Sequence, residues 1–417
     1  MQGSYHPDYA SVARLFESQL PREGPGGAAL TVMHRGEVVV DLAGGTRDDA
    51  GTPFTSDTLA LSFSTTKGVA STLLHVLAAQ GRVDYDAPIA RYWPEFAQGG
   101  KGAITVRQLL CHEAGLHSIR AVTDGAVDLL DWDGMLRRLE LAVPLLPPGT
   151  ANAYHGITYG YLVGGLIERI TGRRFADVLH DELASKLDLS GCYVGLPDDA
   201  MPRRAKLVGA TSARPRGGAN ERPRVEAPRS ERPSRGALAK GGIAERLSRL
   251  AGVDPSFLAD ALLARGMSRF DWNDEAVVKA TIPAAGGMFD ARSLARVYGV
   301  IANDGELDGV RLFSPGDIAR FSEVQNTRLD RVLPMPMRWR LGYHRVLNVG
   351  SFMPDAFGHF GFGGSGAYCD PSRRISVGYV LNHGVGTPFG DSRIWSLAGA
   401  IGRATDAKRV RRFFARR

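Results

Sequence analysis

Ser64 and Lys67 stand three residues apart in the stretch Leu61-Ser62-Phe63-Ser64-Thr65-Thr66-Lys67-Gly68-Val69-Ala70, the only Ser-x-x-Lys of the chain. Val69, Leu73, Leu74, Val76 and Leu77 follow at helical spacing, which predicts a helix over about Ser64 to Ala79. Residues i and i+3 of a helix share a face, so the spacing sets an amine beside a hydroxyl. A serine hydroxyl attacks well only when a neighbouring base takes its proton. Lysine is that base once burial lowers its pKa. The start of the helix adds backbone N–H groups that suit a developing oxyanion.

Such a hydrolase needs a further acid/base group and two oxyanion donors. Two stretches offer them. In Pro148-Gly149-Thr150-Ala151-Asn152-Ala153-Tyr154-His155-Gly156 a tyrosine follows a rigid turn and precedes a helix. In His359-Phe360-Gly361-Phe362-Gly363-Gly364-Ser365-Gly366 a histidine stands in a Gly-rich approach to a strand, where backbone can come close to a substrate.

Together the three stretches resemble the penicillin-recognising serine hydrolases: class C β-lactamases, D-alanyl-D-alanine carboxypeptidases and family VIII carboxylesterases. Ser64-Thr65-Thr66-Lys67 matches the family's Ser-x-x-Lys, Tyr154-His155-Gly156 its Tyr-x-Asn, and His359-Phe360-Gly361 its Lys-Thr-Gly. Ile104 to Leu110, Pro283 to Gly287 and Leu307 to Leu312 look like family stretches too. The resemblance implies that Ser64 is acylated, that Lys67 takes its proton, and that Tyr154 shuttles protons. It implies an oxyanion hole from the backbone N–H groups of Ser64 and Phe362. His359, Gly361, Phe360 and His155 would line the substrate.

Two departures bear on the substrate. Gly156 stands where the family has Asn, and His359 where it has Lys. Both changes remove groups that suit a β-lactam or a peptide carboxylate, and Phe360 and Phe362 add apolar surface. The expectation is a carboxylesterase on short-acyl esters. The alternatives are a β-lactamase or D-alanyl-D-alanine carboxypeptidase, and an idle scaffold of the same fold. No Gly-x-Ser-x-Gly surrounds any serine. The histidines show no metal-ligand spacing, so neither a metal nor another cofactor is expected.

These residues need elements to hold them. A short helix over 8–20 precedes two strand-like runs, Gly26 to Val32 and Val38 to Leu42, joined as a hairpin. Ile104 to Leu110 begins a helix that stops at Gly115. Helical patterns cover 125–142, Thr158 to Thr171, 174–186 and Ala291 to Asn303. Strands are read at Trp339 to Val346, Ala367 to Asp370 and Ile375 to Leu381, and a basic helix from about Phe389 to Phe414. The expected fold is α/β and β-lactamase/transpeptidase-like: one antiparallel sheet shared by both ends of the chain, flanked by helices, with a mostly helical insert. The expected divisions are 1–60, 61–280 and 281–417.

The 417 residues, 44% hydrophobic, supply a large core. The net charge of +7 is local. Residues 203–235 carry nine Arg and one Lys against three Glu, and residues 403–417 seven Lys or Arg against Asp406. The rest of the chain is therefore at −6. The stretch 201–240 is rich in Pro, Arg and Gly and is read as a mobile basic loop. Loop and tail are available to anionic surfaces, with no specific nucleic-acid site expected. The start of the chain lacks a charged and apolar leader, and no stretch is apolar enough to span a membrane. Cys111, Cys192 and Cys369 form no disulfide framework. A cytoplasmic enzyme acting on a small ester is the expectation.

Overall fold

A computed structural model describes residues 1–208, 255–333, 335–384, 387 and 390–415. Its main sheet has seven strands in the order Gln2–Tyr5, Glu37–Gly45, Gly27–His34, Ile375–Leu381, Gly366–Asp370, Phe357–Phe360 and His344–Arg345. Every neighbouring pair is antiparallel. Strands from both ends of the chain therefore make one sheet, as expected. The join is the pairing of Gly27–His34 with Ile375–Leu381, with Leu30 opposite Tyr379.

Alternation along the strands divides the core. Leu30, Val32, Val377 and Tyr379 face one side, against Val12 and Phe16 of the helix Ala10–Gln19 and Ile394 and Leu397 of the helix Ser392–Ala415. Ala29, Met33 and Val380 face the other, against Leu294 and Val297 of the helix Ala291–Ala302 and against the helix Thr65–Ala79. Gly378 lets Ala291–Ala302 lie on the sheet, because a Cβ there would overlap the Ala291 carbonyl.

A smaller sheet pairs Ala60–Leu61 and Cys192–Val194 with Gly287–Phe289. It sets the entry to the Ser64 helix: the Ser62 N–H donates to the Gly287 carbonyl at 2.8 Å. Cys111, Cys192 and Cys369 are free and buried. Among the described residues no helix is long and apolar enough to cross a membrane.

Several boundaries differ from those read in the sequence. The helix begun by the Thr105–Gln108 capping box runs Val106–Leu110 and does not reach Gly115, because His112 takes a left-handed backbone (φ 60°). His359 lies on a paired strand, Phe357–Phe360, and not in a loop approaching one. The Gln2–Tyr5 edge strand had no apolar alternation to reveal it.

The basic loop is also shorter at its start. Residues 201–208 are part of the body. The Arg203 carbonyl accepts from the Leu59 N–H at 3.0 Å, and Val208 donates to the Asn382 carbonyl at 2.9 Å. Leu207 is buried. The remainder of the expected loop, from 209, and the helical periodicity near Ile243 lie outside the described residues.

Candidate active site

Ser64 caps the helix Thr65–Ala79. Phe63, just before it, holds a left-handed backbone (φ 43°), a conformation that costs a β-carbon-bearing residue roughly 1–3 kcal/mol. The Phe63 ring offsets this by packing edge-on against Trp272 (5.3 Å) and Phe362 (5.6 Å). The tight turn aims Ser64 Oγ across the first helical turn toward Lys67, whose Nζ lies 2.9 Å away.

Lys67 is fully buried. Its second partner is the Ala284 carbonyl at 2.8 Å. That carbonyl belongs to the Pro283–Gly287 turn, which approaches closely because two glycines allow it. Gly160, in the helix Thr158–Thr171, has no Cβ to overlap the Ala284 N–H, and Gly287 donates to Thr66 Oγ1 at 3.0 Å. No carboxylate reaches Lys67 among the described residues. Burial without a counter-charge therefore holds the ammonium well below its ordinary pKa and favours the free amine.

Tyr154 Oη donates to Ser64 Oγ at 2.8 Å from the opposite side. Burial pushes its pKa up, which favours the phenol over the phenolate. Lys67 Nζ stands 5.1 Å from the centre of the Tyr154 ring. Ser64 Oγ thus has two groups of opposite acid–base character within hydrogen-bond distance.

The third stretch packs onto the first. Gly361 donates to the Ser365 carbonyl at 2.7 Å, and Ser365 Oγ donates to the Ser62 carbonyl at 2.8 Å. A Cβ at Gly361 would overlap both Ser365 Oγ and the Ser62 carbonyl, so glycine is required there. This clamp joins the third stretch to the first, and the Phe362 ring packs against that of Phe63. Among the described residues the backbone N–H groups of Ser64 and Phe362 donate to no protein acceptor.

His359 is fully buried behind the site, its ring 6.2 Å from that of Tyr154. Its Nδ1 contacts the Phe360 carbonyl at 3.0 Å. A carbonyl only accepts, so Nδ1 carries the proton and Nε2 is a bare acceptor with no partner among the described residues. Burial first, then neighbouring His344 and Lys67, hold the ring neutral.

Two expected lining residues turn away from the site. Phe360 follows His359 on the strand and so faces the opposite side of the sheet, packed against Ile394 and Tyr368. Alternation along a strand makes that outcome unavoidable once His359 faces inward. His155 has both ring nitrogens engaged by backbone. Its Nδ1 meets the Ala153 carbonyl at 2.7 Å, and its Nε2 accepts from the Leu116 N–H at 3.1 Å. It braces its own loop and offers no polar atom to a ligand. Phe362, 37% exposed, is the apolar group that does reach the surface of the site.

Gly156 has a reason of its own. A Cβ there would stand 2.5 Å from the Ala261 carbonyl and would overlap Leu262. The helix Pro255–Leu262 occupies the space that an Asn side chain would need. Arg340 is buried, bonded to the Ser322 carbonyl at 2.8 Å and the Pro354 carbonyl at 3.2 Å.

Sequence reasoning missed the group behind Tyr154. Trp339 lies parallel to the Tyr154 ring at 5.9 Å, and His112 touches both rings. No spacing in the chain connects them.

A seven-stranded antiparallel sheet with helices on both faces, with a serine and a lysine on one helical turn, is the arrangement of a serine hydrolase. A β-lactamase family model matches residues 12–401, and the chain belongs to that family. It is 37% identical over 383 residues to the esterase/β-lactamase LipL of Mycobacterium tuberculosis, covering 91% of this chain and 82% of that one. A solved family VIII carboxylesterase is 32% identical, with a TM-score of 0.80 over 97% of this chain and 99% of its own. A penicillin-binding-protein homologue from Caulobacter crescentus is 34% identical at the same TM-score and coverage.

Proposed function

We propose that this serine hydrolase is a carboxylesterase that cleaves short-acyl esters through an acyl-Ser64 intermediate. The observation that carries the reading is the pair of contacts on Ser64 Oγ, 2.9 Å from a lysine without a counter-charge and 2.8 Å from a buried phenol.

In the first half-reaction Ser64 Oγ attacks the ester carbonyl carbon and its proton passes to the neutral Lys67 Nζ. The carbonyl oxygen becomes an oxyanion and takes the two vacant N–H groups of Ser64 and Phe362. As the tetrahedral adduct collapses, the C–O bond to the alcohol breaks and Tyr154 Oη–H protonates the leaving oxygen. Lys67 now holds one extra proton and Tyr154 lacks one, and transfer between them restores both. In the second half-reaction water attacks the acyl carbon, gives its proton to the Lys67–Tyr154 pair, and Ser64 Oγ leaves with that proton.

The substrate follows from what the site lacks. A β-lactam brings a carboxylate, and a neutral, buried His359 compensates it poorly. Arg340 is buried and already gives its Nε and Nη2 to backbone carbonyls. The family's substrate amide partner is replaced by the glycine against which Ala261 packs. A short neutral ester needs neither group, and the rings of Phe63, Trp272 and Phe362 give its acyl or alcohol part an apolar wall. The names of LipL and of the solved carboxylesterase support the ester reading, while LipL's second name and the penicillin-binding-protein homologue keep β-lactam chemistry as the competing one.

The test compares kcat/KM for a short-acyl p-nitrophenyl ester and a chromogenic cephalosporin, with Ser64→Ala as the blank. A higher value for the ester, abolished in Ser64→Ala, is expected. A higher value for the cephalosporin overturns the esterase reading in favour of a lactamase.

A further inference from the structure

Asp330 is a carboxylate with almost no solvent contact, 1% exposed. Four N–H groups converge on it. Oδ1 accepts from the backbone of Val332 at 2.8 Å, Leu333 at 3.0 Å and Tyr154 at 3.1 Å, and Oδ2 accepts from Trp339 Nε1 at 3.1 Å. All four are donors, so the ionised form satisfies every contact, whereas a protonated acid would leave its O–H without an acceptor among them. No cation pairs with it among the described residues. Burial raises its pKa, and the four hydrogen bonds oppose that rise.

The bonds to Val332 and Leu333 are local and amount to an ordinary turn made by an aspartate. That role explains half of the pattern. The other two bonds reach outward. One crosses 176 residues to the backbone of Tyr154 itself. The other holds the indole whose face lies parallel to the Tyr154 ring, 5.9 Å away and inclined by 7°. The Arg331 N–H adds a bond to the Asn152 carbonyl at 2.8 Å, two residues before Tyr154. One carboxylate therefore fixes both the main chain of the tyrosine and the surface its ring rests on.

We infer that Asp330 is a positioning residue for Tyr154: it holds the phenol in reach of Ser64 Oγ and sets a fixed negative charge behind it. This rests on the role proposed for Tyr154 above. The hydrogen bond from Oη to Ser64 Oγ spans 2.8 Å, and an error of about 1 Å in such a contact costs on the order of a hundredfold in rate. The charge acts on chemistry as well as on place. Burial does most to keep the phenol protonated, and the Asp330 charge adds to it. The tyrosine so held is an acid for the leaving alcohol and not a resting phenolate. An apolar residue of the same volume would remove the charge but leave four N–H groups without partners.

The test is a set of four proteins assayed on a p-nitrophenyl ester: wild type, Asp330→Asn, Tyr154→Phe and the double variant. Asn keeps an oxygen for the three backbone donors but presents its amide N–H to Trp339 Nε1–H. Asp330→Asn should lower kcat by about ten- to a hundredfold with KM changed less than about threefold. It should also move the alkaline limb of the kcat profile to lower pH. In the Tyr154→Phe background the same substitution should change kcat by less than about twofold, because the group it positions is gone.

An Asp330→Asn enzyme with the kcat and pH profile of the wild type overturns the inference, while an inactive Tyr154→Phe leaves the esterase mechanism standing. An equal loss in both backgrounds also overturns it, since that marks general loosening of the fold. Full activity in Tyr154→Phe removes the mechanism and this inference together. Should Asp330→Asn fail to fold, Trp339→Phe serves, since it keeps the carboxylate and a smaller aromatic ring and removes the indole N–H, and the Tyr154→Phe background separates that loss from the cavity it leaves. It should lower kcat by about three- to tenfold, an effect again absent with Phe at 154, and an unchanged kcat overturns the inference.

Discussion

Replacing Gly156 by Asn would rebuild the Tyr-x-Asn element from which this chain departs, and the structure predicts that the change fails. The first atom of the new side chain would stand 2.5 Å from the Ala261 carbonyl oxygen and would overlap Leu262. A long side chain could swing clear, but a backbone carbonyl cannot, so the helix Pro255–Leu262 has to shift. Overpacking of this kind costs about 1–3 kcal/mol, and contact with backbone puts it near the upper end. Unfolding entropy of roughly 2.1 cal/mol/K per residue gives a chain of 417 residues about 0.9 kcal/mol per kelvin. A cost of about 3 kcal/mol then lowers Tm by about 3 °C. Tyr154 lies two residues away with its hydroxyl 2.8 Å from Ser64 Oγ, so ester kcat should fall about tenfold. Cephalosporin kcat/KM should not rise, because the amide does not arrive in a usable place. Gly156→Ala is the control: it adds the colliding Cβ without the amide and should show most of the loss in Tm. Differential scanning calorimetry and the two substrate assays read these outcomes. A Gly156→Asn protein that melts within about 1 °C of wild type and gains tenfold in cephalosporin cleavage would refute the reasoning.

Lys67 must be neutral to take the Ser64 proton, and its pKa is depressed by burial. Ester kcat/KM should therefore fall in acid and rise as pH passes up through that lowered pKa, whereas a profile with no acid limb down to the pH at which the protein unfolds would count against lysine as the base. Lys67→Arg should lose at least about a hundredfold at every pH, since a guanidinium stays protonated and cannot act as a base. Leu207, buried beside Leu61, Phe63 and Phe362, belongs to the body and not to the basic loop. Leu207→Ala should cost about 2–5 kcal/mol, read as a fall in Tm of roughly 2–5 °C, and an unchanged Tm would return the segment to the loop.

Residues that act over one helical turn or one hairpin were legible from the chain; residues that act by facing were not. Ser64 and Lys67 meet because i and i+3 share a face, and the apolar run behind them has one periodicity. The helix Thr158–Thr171 has the bounds its periodicity predicts, and Gly172 closes it in a left-handed conformation. Phe360 and His155 failed for a different reason. Each adjoins a residue that does face the site, and adjacency in the chain does not fix orientation. On the strand Phe357–Phe360 the pleat sends neighbours to opposite sides, so naming His359 as inward already sent Phe360 outward. His155 follows Tyr154 on a loop whose shape is set by outside partners. Its N–H donates to His112 Nδ1 at 3.1 Å and its ring bonds to Leu116 and Ala153. The first of these outside partners depends on the left-handed turn at His112, a conformation that nothing in the run Cys111-His112-Glu113 announces. Asp330 lies furthest from what a sequence can disclose. Its local bonds to residues 332 and 333 look like any aspartate turn, and only the folded chain adds the two bonds that aim at Tyr154. The proposed nucleophile and base are therefore written as a motif, while the aim of the proposed acid is written in contacts between stretches of chain more than a hundred residues apart.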